Sequence, residues 1–288
     1  MKTALIGLPM YTLSRYSGME KSPGALRKAG IAKVFEGIDL GDVALQGVHG
    51  SRGPKNMKNL ERFLQDSEMI RSRLSKVEGV GRVVSLGGEC SMIVGELAGL
   101  KVAMKGSPGM VWIDSHGDFN VPGTSPSGYI GGMCLALASG RGPKLSPEVD
   151  AVMPLIEEEK LVHLGSRALD EAEIKAMTSS PMRMVSTDGM RKGGIDAESR
   201  ASAKWLSDRC DWIVCHLDVD VIDPVWMPSV NYPTPNGITP GEAARLLVSF
   251  AATGKLAALD VAAYNAGLDR DGRSARLVVD LLSRAFRP

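Results

Sequence analysis

Short apolar runs alternate with amphipathic stretches along the whole chain. Runs of four to eight residues rich in β-branched side chains are typical of buried strands, whereas apolar residues at helical spacing indicate amphipathic helices. Strands are predicted at residues 3–7, 34–40, 82–86, 110–113, 160–164, 182–186, 212–219 and 256–261. Helices are predicted at residues 22–30, 57–77, 92–100, 133–138, 170–177, 189–206, 239–254 and 274–286. This alternation predicts a three-layer α/β/α fold with a mostly parallel sheet. Because no linker, repeat or low-complexity segment interrupts it, we predict a single domain over residues 1–288.

The apolar run 111–113 leads directly into three potential metal ligands. Asp114, His116 and Asp118 follow it at alternate positions, so their side chains share one side as long as the chain stays extended. Two carboxylates and an imidazole suit a divalent metal such as Mn²⁺, Zn²⁺ or Fe²⁺. A solvated turn with a chance histidine would show the same residues. The carboxyl end of a strand is, however, where α/β proteins place their sites.

A second run, which begins at Val214, ends in the same way. Asp218 and Asp220 again alternate, and Asp223 and Pro224 follow them. Burying two like charges side by side is unfavourable unless a cation neutralises them. Two strand ends of this kind in one chain therefore predict a metal site. Asp223 is predicted to form a turn or to support the site rather than to bind metal.

The overall composition of the chain argues against some classes of binding partner and cellular location. The chain has 288 residues and a net charge of +1, which argues against nucleic acid or a membrane surface as a partner. No apolar run reaches the roughly 18 residues of a membrane span, and the first residues lack the features of a signal peptide. The four cysteines show no zinc-finger or Cys-x-x-Cys spacing. A cytoplasmic protein with reduced thiols is therefore predicted.

These motifs resemble the ureohydrolase superfamily, which comprises arginases, agmatinases, guanidinobutyrases and formimidoylglutamases. Residues 18–30 are similar to its N-terminal Gly-x-x-x-(Gly/Ala)-Pro-x-x-(Leu/Ile)-Arg segment. Residues 114–118 resemble its Asp-Ala-His-x-Asp motif, and residues 218–224 its Asp-(Val/Ile)-Asp-x-x-Asp-Pro motif. Residues 260–265 lie where the family has Asp-x-x-Glu-x-Asn. The resemblance covers nearly the whole chain and implies an arginase-like fold and a homo-oligomer, either a trimer or a hexamer.

The resemblance also implies two Mn²⁺ ions and the residues that bind them. The ligands implied for one ion are Cys90, Asp114, Asp118 and Asp218, and those implied for the other are Asp114, His116, Asp218 and Asp220. A hydroxide held between two metals is a strong nucleophile near neutral pH, because metals lower the pKa of bound water. In this family it attacks the amidine carbon, and an amine leaves with a proton. Asp118 is predicted to be catalytic as well as a ligand.

Cys90 is the first departure from the family pattern. It lies in Gly-Gly-Glu-Cys-Ser, residues 87–91, where the family usually has Gly-Gly-Asp-His-Ser. A thiolate is softer than an imidazole and favours Zn²⁺ or Fe²⁺ over Mn²⁺. Three interpretations stay open: a thiolate ligand, a protonated thiol beside a weak or absent metal, and a buried thiol with no ligand role. One metal is therefore possible as well as two.

Two other departures affect the reacting end of the substrate. Gly131 replaces the histidine thought to transfer protons in the family, and a general acid typically contributes about 10²–10⁴-fold to a rate. Ala263 replaces the glutamate that pairs with the guanidinium group, a charge-assisted interaction worth roughly 1.5–3 kcal/mol. These losses favour a neutral or N-substituted amidine over a plain guanidinium.

The other end of the substrate is predicted from four residues. Asn120 and Ser127 match positions that arginases use for the α-carboxylate. Tyr129 replaces a small polar residue, and the tyrosine either narrows the pocket or adds a hydroxyl group to it. Ala168 replaces one acid of the amino-acid site, whereas Asp170 is retained. Asn120, Ser127, Tyr129 and Asp170 are therefore the predicted substrate-binding residues, although each would also suit an ordinary loop.

His216 is the remaining candidate. It lies two residues before Asp218, so it shares the ligand face of the strand. We predict a catalytic role, either as a substitute acid or as a partner of Cys90. A buried histidine with satisfied hydrogen bonds is the alternative.

The predicted function is that of a metal-dependent amidinohydrolase, an enzyme that cleaves C–N bonds other than peptide bonds in linear amidines. Its substrate would be a small amidine or modified guanidino compound, and its product urea or a related molecule, as in arginases and agmatinases. The alternative is a noncatalytic homologue that binds metal or a small ligand for regulation. Retention of all five Asp and His ligands opposes that alternative, because an unused cluster of buried carboxylates is destabilising. A deacetylase has a related fold, but this chain lacks the tandem histidine pair of that class.

Overall fold

The computed structural model describes residues 2–12, 16–35, 37–46, 48 and 50–286. Within this part of the chain eight strands form one sheet, and every strand pairing is parallel. The strands are β1 (Thr3–Leu8), β2 (Gly37–Asp42), β3 (Arg82–Gly87), β4 (Pro108–Ile113), β5 (Leu161–Leu164), β6 (Arg183–Val185), β7 (Trp212–Asp218) and β8 (Leu256–Ala262). Their order across the sheet is β2-β1-β3-β8-β7-β4-β5-β6. The parallel arrangement was predicted and is confirmed.

Helices cover both faces of the sheet. They are α1 (Ser22–Ala29), α2 (Leu60–Leu74), α3 (Met92–Ala103), α4 (Cys134–Ala138), α5 (Pro147–Asp150), α6 (Glu171–Thr178), α7 (Thr187–Gly193), α8 (Ile195–Ser207), α9 (Pro240–Ala251) and α10 (Arg273–Phe286). Buried side chains of α1 and α7–α10 form one hydrophobic core, and those of α2–α6 form the other. The three-layer α/β/α prediction is therefore confirmed. In the described ranges, no helix combines the length and apolar character needed to cross a membrane.

The strands near the centre of the sheet bury both faces. Along β4, Val111 and Ile113 point into the core formed with α8–α10, whereas Met110 and Trp112 point into the core formed with α2–α4. Strands buried on both faces show continuous apolar runs, which is why the predicted bounds of β4, β7 and β8 agree closely with those found. Polar residues on these strands, such as His216, are therefore placed in the protein interior.

Two predicted elements differ from those observed. The strand expected at residues 34–40 lies at Gly37–Asp42, because Val34 and Phe35 fold into a turn and pack into the core; residue 36 lies outside the described residues. This strand is at the edge of the sheet, and Ile38 is 51% exposed. The helix expected at residues 189–206 is two helices, α7 and α8. Gly194, with φ of 82°, separates them, a backbone conformation that favours glycine.

Candidate metal centre

The predicted ligands meet at the carboxyl edge of the sheet. Cys90 lies in the turn between β3 and α3, Asp114 directly follows β4, and Asp218 is the last residue of β7. These strands lie close together, with β8 between β3 and β7. The turn that carries Cys90 requires glycine at position 88, because a Cβ atom there would lie 2.0 Å from the carbonyl oxygen of Met10. Close backbone packing thus brings Cys90 over the sheet edge.

Three predicted ligands, Cys90, Asp114 and Asp218, form an inner cluster together with His216, which was predicted to be catalytic. One potential ligand atom from each lies within 4.8 Å of the others, and all four residues are buried. The Cys90 thiol donates a hydrogen bond to Oδ2 of Asp218 over 2.9 Å. The indole nitrogen of Trp112 donates one to Oδ2 of Asp114, also over 2.9 Å. The inner cluster therefore combines sulfur, nitrogen and oxygen donors among buried side chains, two of which, Cys90 and Asp218, also line the adjoining cavity.

Three side chains form an outer cluster, comprising Asp114, His116 and Asp220. Nδ1 of His116 lies 3.0 Å from Oδ2 of Asp220 and 3.6 Å from Oδ1 of Asp114. The His116 side chain is 29% exposed. The hydroxyl group of Ser115 donates a hydrogen bond to Oδ1 of Asp220 over 2.7 Å and fixes that carboxylate. Asp114 belongs to both clusters, whereas Asp218, expected to be shared, lies in the inner one.

Turns, not strand alternation, bring the ligands together. β4 ends at Ile113, so the assumption that residues 114–118 stay extended is wrong. The backbone NH of His116 turns back and donates a hydrogen bond to Oδ1 of Asp114 over 2.7 Å. The backbone NH of Asp220 does the same to Oδ1 of Asp218 over 2.7 Å. Each carboxylate therefore closes its own turn and holds the following ligand beside it.

Asp118 occupies a different place from the other predicted ligands. Its φ is 48°, and within the described ranges it belongs to neither cluster. It lies instead on the wall of the adjoining cavity, with Oδ2 3.6 Å from the thiol of Cys134. The structure thus brings His216 into the inner cluster where the sequence pattern placed Asp118.

Burial and mutual repulsion dominate the electrostatics of the centre. Burial and the neighbouring carboxylates raise the pKa of Asp218 and Asp118 well above the usual value and raise the pKa of Asp114. Burial alone would lower the pKa of His116, but Asp220 and Asp114 raise it to about 12. His116 in turn holds the pKa of Asp220 below its usual value, although burial opposes this. Such a concentration of buried acids is the environment that a divalent cation stabilises.

A cavity of about 350 Å³ adjoins the centre. All four predicted substrate-binding residues line it, namely Asn120, Ser127, Tyr129 and Asp170. Gly131 and Ala263, which lack the side chains expected from the family, line it as well, whereas His216 does not. The side-chain amide of Asn120 donates a hydrogen bond to Oδ2 of Asp170 over 2.8 Å. Asn120 therefore orients this carboxylate in the cavity wall.

Several buried or cavity residues were not recognised from the sequence. Glu89 and Tyr232 line the cavity, and Glu96 and Asp260 are fully buried beneath the centre. Glu89 directly follows the Gly-Gly pair and Asp260 interrupts an apolar strand, so the sequence pattern could have indicated both residues. Tyr232 lies in a loop that has no distinctive pattern.

The family model described as the arginase family matches residues 1–287. The chain belongs to the arginase family. Members of this family are metal-dependent hydrolases, and the resemblance to ureohydrolases is thereby confirmed. Arginase from Bacillus caldovelox is 29% identical over 292 residues, which cover 98% of this chain and 97% of the relative.

Solved structures agree with this assignment. The native structure of Bacillus caldovelox arginase has a TM-score of 0.92 at 28% identity and covers 100% of this chain and 98% of its own. Arginase from Bacillus subtilis has a TM-score of 0.91 at 29% identity, covering 100% of this chain and 99% of its own. Proclavaminate amidino hydrolase from Streptomyces clavuligerus has a TM-score of 0.76 at 20% identity, covering 99% of this chain and 90% of its own, and shares the fold.

Proposed function

We propose that this protein hydrolyses a C–N bond in a guanidino or other linear amidine compound at a centre of two divalent metals. The observation that carries the proposal is the sharing of Asp114 by two clusters beside an acidic cavity. Membership of the arginase family supports it, because similar proteins from Bacillus caldovelox and Bacillus subtilis are arginases. Of the six ligands predicted from the sequence, five are proposed to hold metal, namely Cys90, Asp114, His116, Asp218 and Asp220.

The donor atoms indicate which metals would fit. The outer cluster offers two carboxylates and an imidazole, which suit Mn²⁺. The thiol of Cys90 makes Zn²⁺ or Fe²⁺ the alternative for the inner cluster. Bound divalent metals would supply a water molecule with a pKa lowered towards neutrality and would polarise the substrate.

Asp118 is the residue proposed to move protons. It lies on the cavity wall beside Asp114 but outside both clusters, so its carboxylate faces the space that the substrate would occupy. There it would take a proton from the attacking water and return it to the departing amine. This role compensates for glycine at position 131, where the family has a histidine.

The cavity favours a cationic substrate. Glu89, Asp118, Asp170 and Glu173 line it, and no described residue of its wall is lysine or arginine. Asp170, oriented by Asn120, is placed to bind an amino group at the end remote from the metals. Alanine at position 263 leaves no carboxylate to hold the guanidinium group and leaves room for a substituent on its nitrogen. We therefore propose an amino-bearing, N-substituted guanidine as the substrate class.

The test is product release from a panel of compounds. Protein purified without chelator is loaded with Mn²⁺ or Zn²⁺, and urea, ammonia and amine are measured with arginine, agmatine, N-hydroxyarginine and N-formimidoylglutamate. We expect urea from at least one guanidino compound and none from Asp220→Asn. The matched control is Asp188→Asn, the same change at an aspartate that is 80% exposed. Two bound metals without turnover of any compound would favour the noncatalytic homologue instead.

A further inference from the structure

One row of buried side chains crosses the sheet directly beneath the metal centre. Strand pairing places Ser85 of β3, Asp260 of β8, His216 of β7 and Trp112 of β4 next to one another. The row points towards the helix layer of α2–α4, where Trp112 packs. Asp114 lies two residues beyond Trp112, so His216 occupies the level immediately below the proposed ligands.

His216 has the surroundings of a metal ligand. One of its ring nitrogens lies within 4.8 Å of the ligand atoms of Cys90, Asp114 and Asp218. The side chain is fully buried, and within the described part of the chain neither ring nitrogen has a hydrogen-bond partner. Leaving a buried imidazole unsatisfied is unfavourable, and a metal would satisfy one nitrogen.

Two neighbouring side chains, Asp260 and Trp112, position the imidazole ring of His216. Nδ1 of His216 lies 2.5 Å from Oδ1 of Asp260, although the two atoms are not aligned for a hydrogen bond. The indole of Trp112 stacks on the imidazole, with 3.6 Å between ring centroids and 14° between planes. Metal-bound histidines almost always donate their second ring NH to a carboxylate or carbonyl group. Asp260 is placed to accept that hydrogen bond after a small rotation.

We propose that His216 is a fourth protein ligand of the inner metal, with Asp260 as its positioning residue. The inner set then comprises one sulfur, one nitrogen and two carboxylates, which suits Zn²⁺ better than Mn²⁺. This role replaces the catalytic role predicted from sequence, because a ring away from the cavity wall cannot reach a substrate. The proposal rests on the metal centre proposed above but does not depend on amidine hydrolysis.

The first test is nitrogen NMR of protein labelled with ¹⁵N-histidine. The chain contains four histidines, so their ring nitrogens can be assigned by substitution. On titration of metal-free protein with Zn²⁺, we expect one ring nitrogen of His116 and one of His216 to shift to the position of a metal-bound imidazole. A shift confined to His116 would overturn the role of His216 alone. If neither histidine shifts, the metal centre itself is overturned, whatever the protein hydrolyses.

The second test measures metal affinity in variants. His216→Phe keeps a flat ring against Trp112 but removes both nitrogens, and we expect the inner Zn²⁺ to bind at least about 100-fold more weakly in chelator competition. Loss of an outer hydrogen-bond partner typically costs about 10- to 100-fold, so Asp260→Ala, which removes both acceptor oxygens, should fall in that range. The matched control is His163→Phe. His163 is fully buried on β5 and is paired with Trp112 from the other neighbouring strand, opposite His216.

The affinity measurements can still decide the role of His216 if one variant is unstable. His163→Phe should keep the inner Zn²⁺ at wild-type affinity. It is a control for the inner position only, because Nε2 of His163 lies 2.8 Å from the backbone oxygen of the outer ligand His116. Wild-type Zn²⁺ affinity in folded His216→Phe would overturn the proposal. If His216→Phe lacks a cooperative thermal transition, Asp260→Ala decides: weaker binding of the inner Zn²⁺ supports the proposal, and unchanged affinity contradicts it.

Discussion

The two clusters share Asp114 but differ in almost every other respect. The inner cluster is buried, contains the thiol of Cys90 and adjoins the hydrophobic core, although Cys90 and Asp218 also reach the cavity wall. The outer cluster contains His116, which is 29% exposed, and opens towards the cavity. Ligand softness and solvent access both control metal selection and exchange. We infer that the inner position would hold its metal tightly, and that the outer position, which has the more exposed ligand His116, would exchange metal more readily.

Replacing the shared ligand should have the largest effect. Asp114→Asn removes a carboxylate from both clusters, so we expect both metals to be weakened and activity to fall about 10³-fold or more, the upper range for losing one preorganised electrostatic group. Metal content by mass spectrometry and product release measure the two losses. Retention of one tightly bound metal would contradict the shared role, and Asp188→Asn again serves as the control.

The pH dependence of stability should separate the metal-free protein from the metal-bound protein. Burial raises the pKa of Asp114 and Asp218 above the value of about 3.9 for an unfolded aspartate. The folded state therefore binds more protons than the unfolded state above about pH 4, and stability falls as pH rises. His116 has the same sign: its pKa is raised to about 12, so its contribution is complete below about pH 6.5 and is lost as pH rises towards 12.

Bound metal should reverse this trend, because ligands bind metal in their deprotonated form. With metal at 100 times its dissociation constant, we expect a gain of about 2.7 kcal/mol in the free energy of unfolding. Thermal melts with chelator and with Zn²⁺ between about pH 7 and pH 8.5 measure both slopes. This range avoids the opposite contribution of buried His163 and His216, whose pKa values of about 4 and about 3 make stability rise with pH up to about pH 6.5. Metal-free stability that rises over this range would contradict the assignment of buried, mutually repelling acids.

Replacing Cys90 tests whether the thiol makes the inner cluster prefer softer metals. Cys90→His keeps the number of ligands but replaces sulfur with nitrogen, so we expect the preference of the inner position for Zn²⁺ over Mn²⁺ to fall by about 10-fold or more. The outer position should keep its affinity, because Cys90 is not part of it. Competition between Zn²⁺ and Mn²⁺ measures the preference, and Cys215→Ser, at a buried thiol on β7 outside both clusters, is the control. An unchanged preference would indicate that Cys90 is not a ligand.

A change in the cavity should spare both clusters. Asp170→Asn removes a charge from the wall while leaving all cluster residues in place. We expect metal content and kcat to stay unchanged and KM to rise by about 10-fold, the size of one charge-assisted hydrogen bond. Steady-state kinetics with the best substrate of the panel measure both constants. A fall in kcat with unchanged KM would place Asp170 in the chemical step instead.

The sequence predicted this fold and the site's location well, for identifiable reasons. Continuous apolar runs such as Val111–Ile113 indicate strands that are buried on both faces of the sheet, and acidic residues directly after them indicate the carboxyl edge of the sheet. The sequence could not predict that the chain turns after Ile113, because the turn depends on hydrogen bonds between carboxylates and backbone NH groups. Nor could it place Asp260 beside His216, because strand order brings them together. The trimeric or hexameric state and the cytoplasmic location stay predictions.

The most direct test of the account is anomalous X-ray diffraction from crystals soaked with Zn²⁺ and Mn²⁺, recorded on both sides of each absorption edge. The account predicts two peaks. One, mainly zinc, should lie among Cys90, Asp114, His216 and Asp218, and the other should lie among Asp114, His116 and Asp220. A single peak in the outer cluster, or an inner peak out of bonding distance of Cys90 and His216, would contradict the claim that two unlike clusters hold two metals.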